Sequence, residues 1–266
     1  MILADYHMHT SFSSDSKAEP AAQANAAIAA GLSRICITDH DDPGYPGHEF
    51  DLDIPSYYRA IGHLSRAFEG RLKILTGIEL GLRTDEADAI RSRAAAMPWD
   101  FIIGSTHVVD GNDPYYPSYW NCQSVHDAIL RYYEATLANI RAFDCFDVYG
   151  HIDYITRYIP QDRLPEYHKE DFCGITDEIL HELIARGKGI ECNTAGFRHR
   201  TGEPNPNRDI LSRYLQLGGT ILTIGSDGHC PEHVALGFDR LPALLRACGI
   251  SSYTVFEQRK AMQLPV

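Results

Sequence analysis

The sequence predicts an α/β fold in which parallel strands and covering helices close, or nearly close, into a barrel of seven units. Three observations carry this. Seven short runs rich in Ile, Val, Leu or Phe recur along the 266 residues, at 2–7, 34–39, 72–79, 100–106, 145–151, 189–193 and 220–225. Helical stretches lie between them. Imidazoles, carboxylates and other polar groups collect at the C-terminal end of successive runs. Strands buried on both faces read as near-continuous apolar runs, and strand–helix alternation implies parallel pairing. An open doubly wound sheet is the alternative arrangement. The chain carries neither common Gly-rich phosphate loop in support of a nucleotide fold.

The elements follow in order. The run at 2–7 leads into "HMHT", and the Ala-rich stretch "KAEPAAQANAAIAAG" ends at Gly31, a C-cap for a first helix. The run at 34–39 opens into "ITDHDD". The stretch "SYYRAIGHLSRAFEG" ends at Gly70, and the run at 72–79 closes on "GIEL". The runs at 100–106 and 145–151 end in "GSTH" and "YGHIDY". The stretch "TDEILHELIARG" reads as a helix capped by Thr176 and ended by Gly187. After the run at 189–193, "NRDILSRYLQLGG" repeats that grammar and "TILTIGSD" gives the clearest strand. Residues 1–266 are expected to form a single domain.

Bulk properties set bounds. Hydrophobic residues at 44% and charged residues at 23% suit a globular protein with a sizeable core. A net charge of −12 argues against a general nucleic-acid binder, which needs a basic face. No apolar run approaches a membrane span, and the first residues, Met-Ile-Leu-Ala-Asp, turn polar too soon for a signal peptide. The seven cysteines (36, 122, 145, 173, 192, 230 and 248) are scattered without a C-x-x-C pair and read as reduced thiols. A cytoplasmic location is the expectation.

The run ends carry the chemistry. They deliver His7 and His9, Asp39 and His40, Glu79, His107, His151, Asn193, and Asp227 with His229. In a barrel these ends meet at one mouth, where active sites sit. His7 and His9 are two apart, so on a strand they share a side. A lone His at a strand end is usually structural, and H-x-H is common by chance. The joint pattern argues for a metal cluster, since imidazoles and carboxylates together suit zinc, iron or manganese. His48, His63, His126, His168, His181, His199 and His233 fall in loops or helical stretches, where a structural or solvated role is expected; His48 and His199 are secondary candidates on the substrate side.

The motifs "DYHMHTSFSSDS", "ITDHDD", "GIEL", "GSTH", "YGHIDY" and "GSDGH" resemble, in order, those of the PHP (polymerase and histidinol phosphatase) superfamily. The likeness runs from Asp5 to His229, and "FDLDIPSYY" and "GSTHVVDGNDPYY" resemble its histidinol-phosphate phosphatase branch. The resemblance implies a distorted (β/α)7 TIM-like barrel with a trinuclear metal site at the C-terminal strand ends. It implies hydrolysis of L-histidinol phosphate, a step of histidine biosynthesis, through a hydroxide bridging two ions. Carried over motif by motif, the first ion falls to His7, His9, Glu79 and Asp227. The second shares Glu79 and adds His107 and His151. The third takes Asp15, His40 and His229, with an oxygen ligand at Asp15 where some relatives have His. The three divalent ions are Zn, Fe or Mn, alone or mixed.

Glu79 and Asp227 are the expected catalytic carboxylates. Arg157 and Arg198, just past strand ends, are expected to bind phosphate, because the arginine fork matches phosphate oxygens. Tyr115, Tyr116 and Trp120 in "DPYYPSYW" form an aromatic wall or a packed lid. The expected partner is a small phosphorylated substrate, with no nucleic acid and no membrane. Competing readings are a PHP enzyme acting on another phosphomonoester or nucleotide, and a non-catalytic metal-binding module. A metallo-dependent amidohydrolase also begins with H-x-H, but the bridging lysine usual there is replaced by Glu79.

Overall fold

A computed structural model describes residues 2–121 and 123–266. Seven parallel strands form the sheet: β1 (Ala4–Asp5), β2 (Arg34–Ile37), β4 (Lys73–Gly81), β5 (Phe101–Ser105), β6 (Val148–Tyr149), β7 (Gly189–Asn193) and β8 (Leu222–Gly225). They neighbour one another in sequence order. The short β3 (His40–Asp41) continues the line of β2 after a break and pairs with β4. The two ends of the sheet also meet. Tyr6 N donates to Ile224 O at 2.8 Å, Asp227 N donates to His7 O at 2.7 Å, and Met8 bridges Gly228 in parallel. The seven-strand barrel is therefore the observed arrangement, and the open doubly wound sheet is excluded.

Helices α1 (Pro20–Ala29), α2 (Ile54–Ala67), α3 (Ala87–Ala95), α4 (Val125–Ala142), α5 (Cys173–Ala185), α6 (Arg208–Gln216) and α7 (Leu241–Ala247) follow the strands in turn. Asn207 caps α6 through its side chain, accepting from Asp209 N and Ile210 N. The expected Thr176 cap of α5 is corrected. That helix starts at Cys173, and Thr176 lies inside it, donating its hydroxyl to Phe172 O at 2.9 Å. Strand bounds are shorter than the apolar runs at β1 and β6, because backbone pairing stops before the side-chain pattern does.

An antiparallel hairpin, β9 (Ser252–Glu257) and β10 (Lys260–Pro265), was not expected from the sequence. Its two turn residues, Gln258 and Arg259, both have positive φ, a conformation usually signalled by Asn or Gly. Tertiary contacts hold this turn instead. Gln258 N donates to Asp100 Oδ1 at 3.0 Å and Arg259 N to Asp100 O at 2.9 Å. The hairpin seals the N-terminal end of the barrel. Tyr6 Oη donates to Phe256 O at 2.6 Å, and the Phe256 ring lies 5.1 Å from that of Phe101. The six described cysteines are free thiols; Cys122 lies outside the described residues. Among the described residues no helix is long and apolar enough to cross a membrane.

Phe256 plugs the end of the barrel opposite the histidines, so its loss should act on stability alone. Phe256→Ala is expected to cost about 3–5 kcal/mol, measured by urea denaturation, with metal content per folded chain unchanged.

Candidate metal centre

The site grows from register. His40 on β3 pairs beside Glu79 on β4, and Glu79 pairs on its other side with Ile103 of β5. The Glu79 side chain is fully buried and points into the mouth of the barrel, where five imidazoles surround it. Its Oε2 lies 3.0 Å from His7 Nε2, 3.5 Å from His9 Nε2 and 3.0 Å from His40 Nδ1. Its Oε1 lies 3.0 Å from His151 Nε2 and 3.3 Å from His107 Nε2, and accepts from Ser105 Oγ at 2.7 Å.

Asp227 and His229 lie past the end of β8. Asp227 holds a positive φ of 53°, uncommon for a non-glycine residue and a conformation that concentrates at functional sites. Its Oδ1 is 3.5 Å from His9 Nε2 and 3.9 Å from His7 Nε2. Asp15, brought round by the turn after His9, places Oδ2 2.9 Å from His229 Nε2 and 3.7 Å from His40 Nε2. The nine residues expected from the sequence to hold metal thus come together at the C-terminal strand ends.

The donor set fits divalent ions. Ligand atoms of His7, His9 and Glu79 lie within 4.8 Å of one another, as do those of Glu79, His107 and His151 and those of His9, His40 and His229. Protons alone serve this cluster poorly. Burial holds His9 well below the ordinary imidazole range, and charge on His229 and His40 depresses it further. Burial also depresses His151, whose Nδ1 has no hydrogen-bond partner among the described residues. Burial opposes charge on His7, yet the carboxylates of Glu191, Glu79 and Asp227 outweigh it and push that imidazole well up. For Glu79 burial works upward, but His7, His40 and His107 hold the carboxyl well below its usual range. The result is a buried anion ringed by imidazoles of which some are driven neutral and others charged, so positive charge is what this setting calls for and divalent ions can supply it.

Several groups that hold these rings carried no role in the sequence reading. Glu191 Oε1 sits 2.6 Å from His7 Nδ1, while its Oε2 accepts from His151 N at 3.0 Å. Asp42 Oδ2 sits 2.6 Å from His107 Nδ1. Each carboxylate can accept the ring proton and leave Nε2 facing Glu79, as partners of metal-bound His commonly do. Two glycines make room for them. A Cβ on Gly225 would lie 2.4 Å from Glu191 Oε1 and 2.3 Å from His7 Cβ, and one on Gly81 would lie 2.3 Å from the Asp42 carboxyl carbon. Gln23 of α1 donates to His9 O at 2.6 Å and Gly228 O at 2.7 Å, tying two loops together. Its signal was faint, one of two amides in an Ala-rich helix. Asp39 holds a loop by accepting from Thr10 and Ser13.

Above the cluster opens a cavity of about 590 Å³ lined by Asp15, His40, His107, His151, Asp227 and His229, together with Arg157, Tyr115 and Tyr116. The Arg157 guanidinium is buried and oriented by Asn205 Oδ1 at 2.7 Å, Asn193 Oδ1 at 3.1 Å and Asp227 Oδ2 at 3.3 Å. Arg198 is placed differently. It is not among the cavity residues, and two of its nitrogens donate to Ser226 O and Asp227 O, each at 3.1 Å, bracing the loop that presents Asp227. Trp120 is buried beneath the loop, donating to Pro114 O at 2.9 Å, so the wall consists of Tyr115 and Tyr116 without it. His48 is exposed and its ring pairs with Asp51 at 3.0 Å; neither His48 nor His199 lines the cavity.

Comparisons with known proteins agree with this geometry. The PHP domain model matches residues 5–195. A histidinol-phosphatase of Lactococcus lactis is 31% identical over 258 residues, covering 96% of this chain and 95% of that protein. A probable histidinol-phosphatase of Clostridium acetobutylicum is 30% identical, covering 97% and 98%. The crystal structure of the histidinol phosphate phosphatase from Lactococcus lactis, complexed with Zn, L-histidinol and phosphate, superposes with a TM-score of 0.90 over 97% of this chain and 98% of that one, at 30% identity.

Glu191 holds a ring without lining the cavity. Glu191→Gln is expected to weaken metal affinity by about 10- to 100-fold, read by competition with a chromophoric chelator, while the folded fraction by circular dichroism stays as in wild type. A chelator should lower the melting temperature of wild type, because it removes the cations that offset a buried carboxylate.

Proposed function

This chain belongs to the PHP domain family, and from that premise we propose that it is a metal-dependent phosphatase that hydrolyses L-histidinol phosphate to L-histidinol and phosphate. The observation that carries the reading is one cavity that joins the Glu79–histidine cluster to a buried, three-point-oriented arginine. Similarity over nearly the full length of the Lactococcus lactis histidinol-phosphatase supports the substrate.

Three divalent ions are assigned: one to His7, His9, Glu79 and Asp227, one to Glu79, His107 and His151, and one to Asp15, His40 and His229. Zn, Fe and Mn all suit these mixed ligands, and zinc is present in the Lactococcus lactis structure. Ions bound here would supply Lewis-acid charge to a phosphoryl group and make water a stronger acid at neutral pH.

The protein's own groups do the rest. Arg157 lines the cavity, and its three acceptors fix the plane of the guanidinium before substrate arrives, which limits the ordering cost on binding. Asp227 receives Arg157 on one oxygen and faces His9 on the other, so it couples the phosphate side to the imidazoles. Glu191 and Asp42 hold two imidazoles in one tautomer. Arg198 acts through the loop carrying Asp227, as a positioning residue for the anion site. The aromatic wall of Tyr115 and Tyr116, 58% and 45% exposed, is assigned to the imidazole end of the substrate.

Protein loaded with Zn, Fe or Mn should release phosphate from L-histidinol phosphate faster than from a panel of nucleotides and simple monoesters. Preference for a nucleotide would replace the substrate, and no release from any monoester would leave a binding module. Glu79→Gln should remove most activity and lower bound metal; normal turnover at full loading would refute its assignment. Arg157→Lys keeps the charge and loses the fork, and should lower kcat/KM by about 10- to 100-fold.

A further inference from the structure

Two carboxylates of the cavity have no task so far: Glu49, which is exposed to solvent, and Asp113. Asp15 and Asp227 face imidazoles at 2.9 and 3.5 Å, and Asp42 is committed to His107. Asp113, on the loop after β5, is half-buried and lines the same cavity. Its partners in the protein are neutral. Tyr45 Oη donates to Oδ2 at 2.8 Å and Tyr115 N donates to Oδ1 at 2.7 Å. Among the described residues no Lys, Arg or His nitrogen lies within the 4.0 Å of an ion pair.

A carboxylate drawn out of water without a counter-charge is costly unless a ligand brings one. Burial raises the Asp113 pKa accordingly, against the opposing pull of its two hydrogen bonds. The group lines the same cavity as His107, His40 and His151 of the imidazole cluster. Phenol rings stand beside it, with Tyr115 and Tyr116 packed edge to face at 5.1 Å. A carboxylate flanked by aromatic faces is a setting for an ammonium ion.

We propose that Asp113 is the specificity-determining residue of the site, recognising the ammonium group of an amino-alcohol phosphate. This rests on the phosphatase reading. In L-histidinol phosphate the ammonium sits on the carbon next to the one bearing the ester oxygen. A substrate with its phosphoryl group at Arg157 and the imidazole cluster therefore carries its positive charge towards the cavity wall. Tyr45, buried behind Asp113, fixes the carboxylate, and an ester without the ammonium leaves that carboxylate unpaired.

The test compares L-histidinol phosphate with 3-(imidazol-4-yl)propyl phosphate, which lacks only the ammonium. Wild type should prefer the amine by about 10- to 100-fold in kcat/KM, the scale of a charge-assisted hydrogen bond. Asp113→Asn should lose that preference by slowing the amine alone, leaving the des-amino ester within about twofold at unchanged metal content. A preference that survives in Asp113→Asn, an equal loss on both esters, or no preference in wild type would each overturn the inference while leaving the phosphatase reading intact. Phosphate release from neither ester by wild type would instead overturn the phosphatase reading, and this inference with it. If Asp113→Asn does not fold, Tyr45→Phe decides: a reduced preference supports the inference, and an undiminished one overturns it.

Discussion

The mouth of this barrel is organised by the burial of one carboxylate. Glu79 is out of water, and five imidazoles approach its two oxygens. A buried anion is tolerable only when positive charge and hydrogen bonds surround it. That requirement explains why β3 resumes beside β4 after the break at Thr38 and Asp39, since His40 reaches Glu79 only from there. It also explains the polar ends of strands whose middles are apolar. The barrel supplies convergence, and Glu79 makes convergence necessary.

A ring of buried acceptors behind the imidazoles decides how they point. Glu191 and Asp42 lie behind His7 and His107, and Ser13 Oγ lies 3.2 Å from His9 Nδ1. These contacts constrain small residues elsewhere, which is why Gly225 and Gly81 have no room for a side chain. The same logic extends to Arg157. Asn193 and Asn205 pair through their backbones and both present side-chain oxygens to Arg157. Arg157 in turn meets Asp227, so the guanidinium side and the imidazole side of the cavity are braced by one another.

Net charge and local charge point in opposite directions. The chain carries −12, yet the cavity floor gathers imidazoles, a buried guanidinium and a place for cations. Bound ions are the largest charges in such a site and dominate its own field. The acidic remainder then discourages long polyanions without penalising a small phosphate ester.

The sequence alone determined the seven-fold alternation and which residues would meet, because both follow from short-range rules. Buried parallel strands need apolar runs, and a barrel brings their C-terminal ends to one mouth, so His7, His9, His40, Glu79, His107 and His151 were legible one strand at a time. Tertiary structure alone decided the rest. Glu191 reads in sequence as an isolated acid in a strand, and only the approach of β1 to β7 and β8 puts it behind His7. The Gln258–Arg259 turn lacks a local signal because Asp100 supplies its hydrogen bonds from across the fold. Arg198 and Arg157 look equivalent as residues following strand ends. Their acceptors separate them, since backbone carbonyls take two nitrogens of the first while side chains hold the second at the cavity. Hydrogen-bond partners far apart in the chain are fixed by packing, and no residue pattern records them.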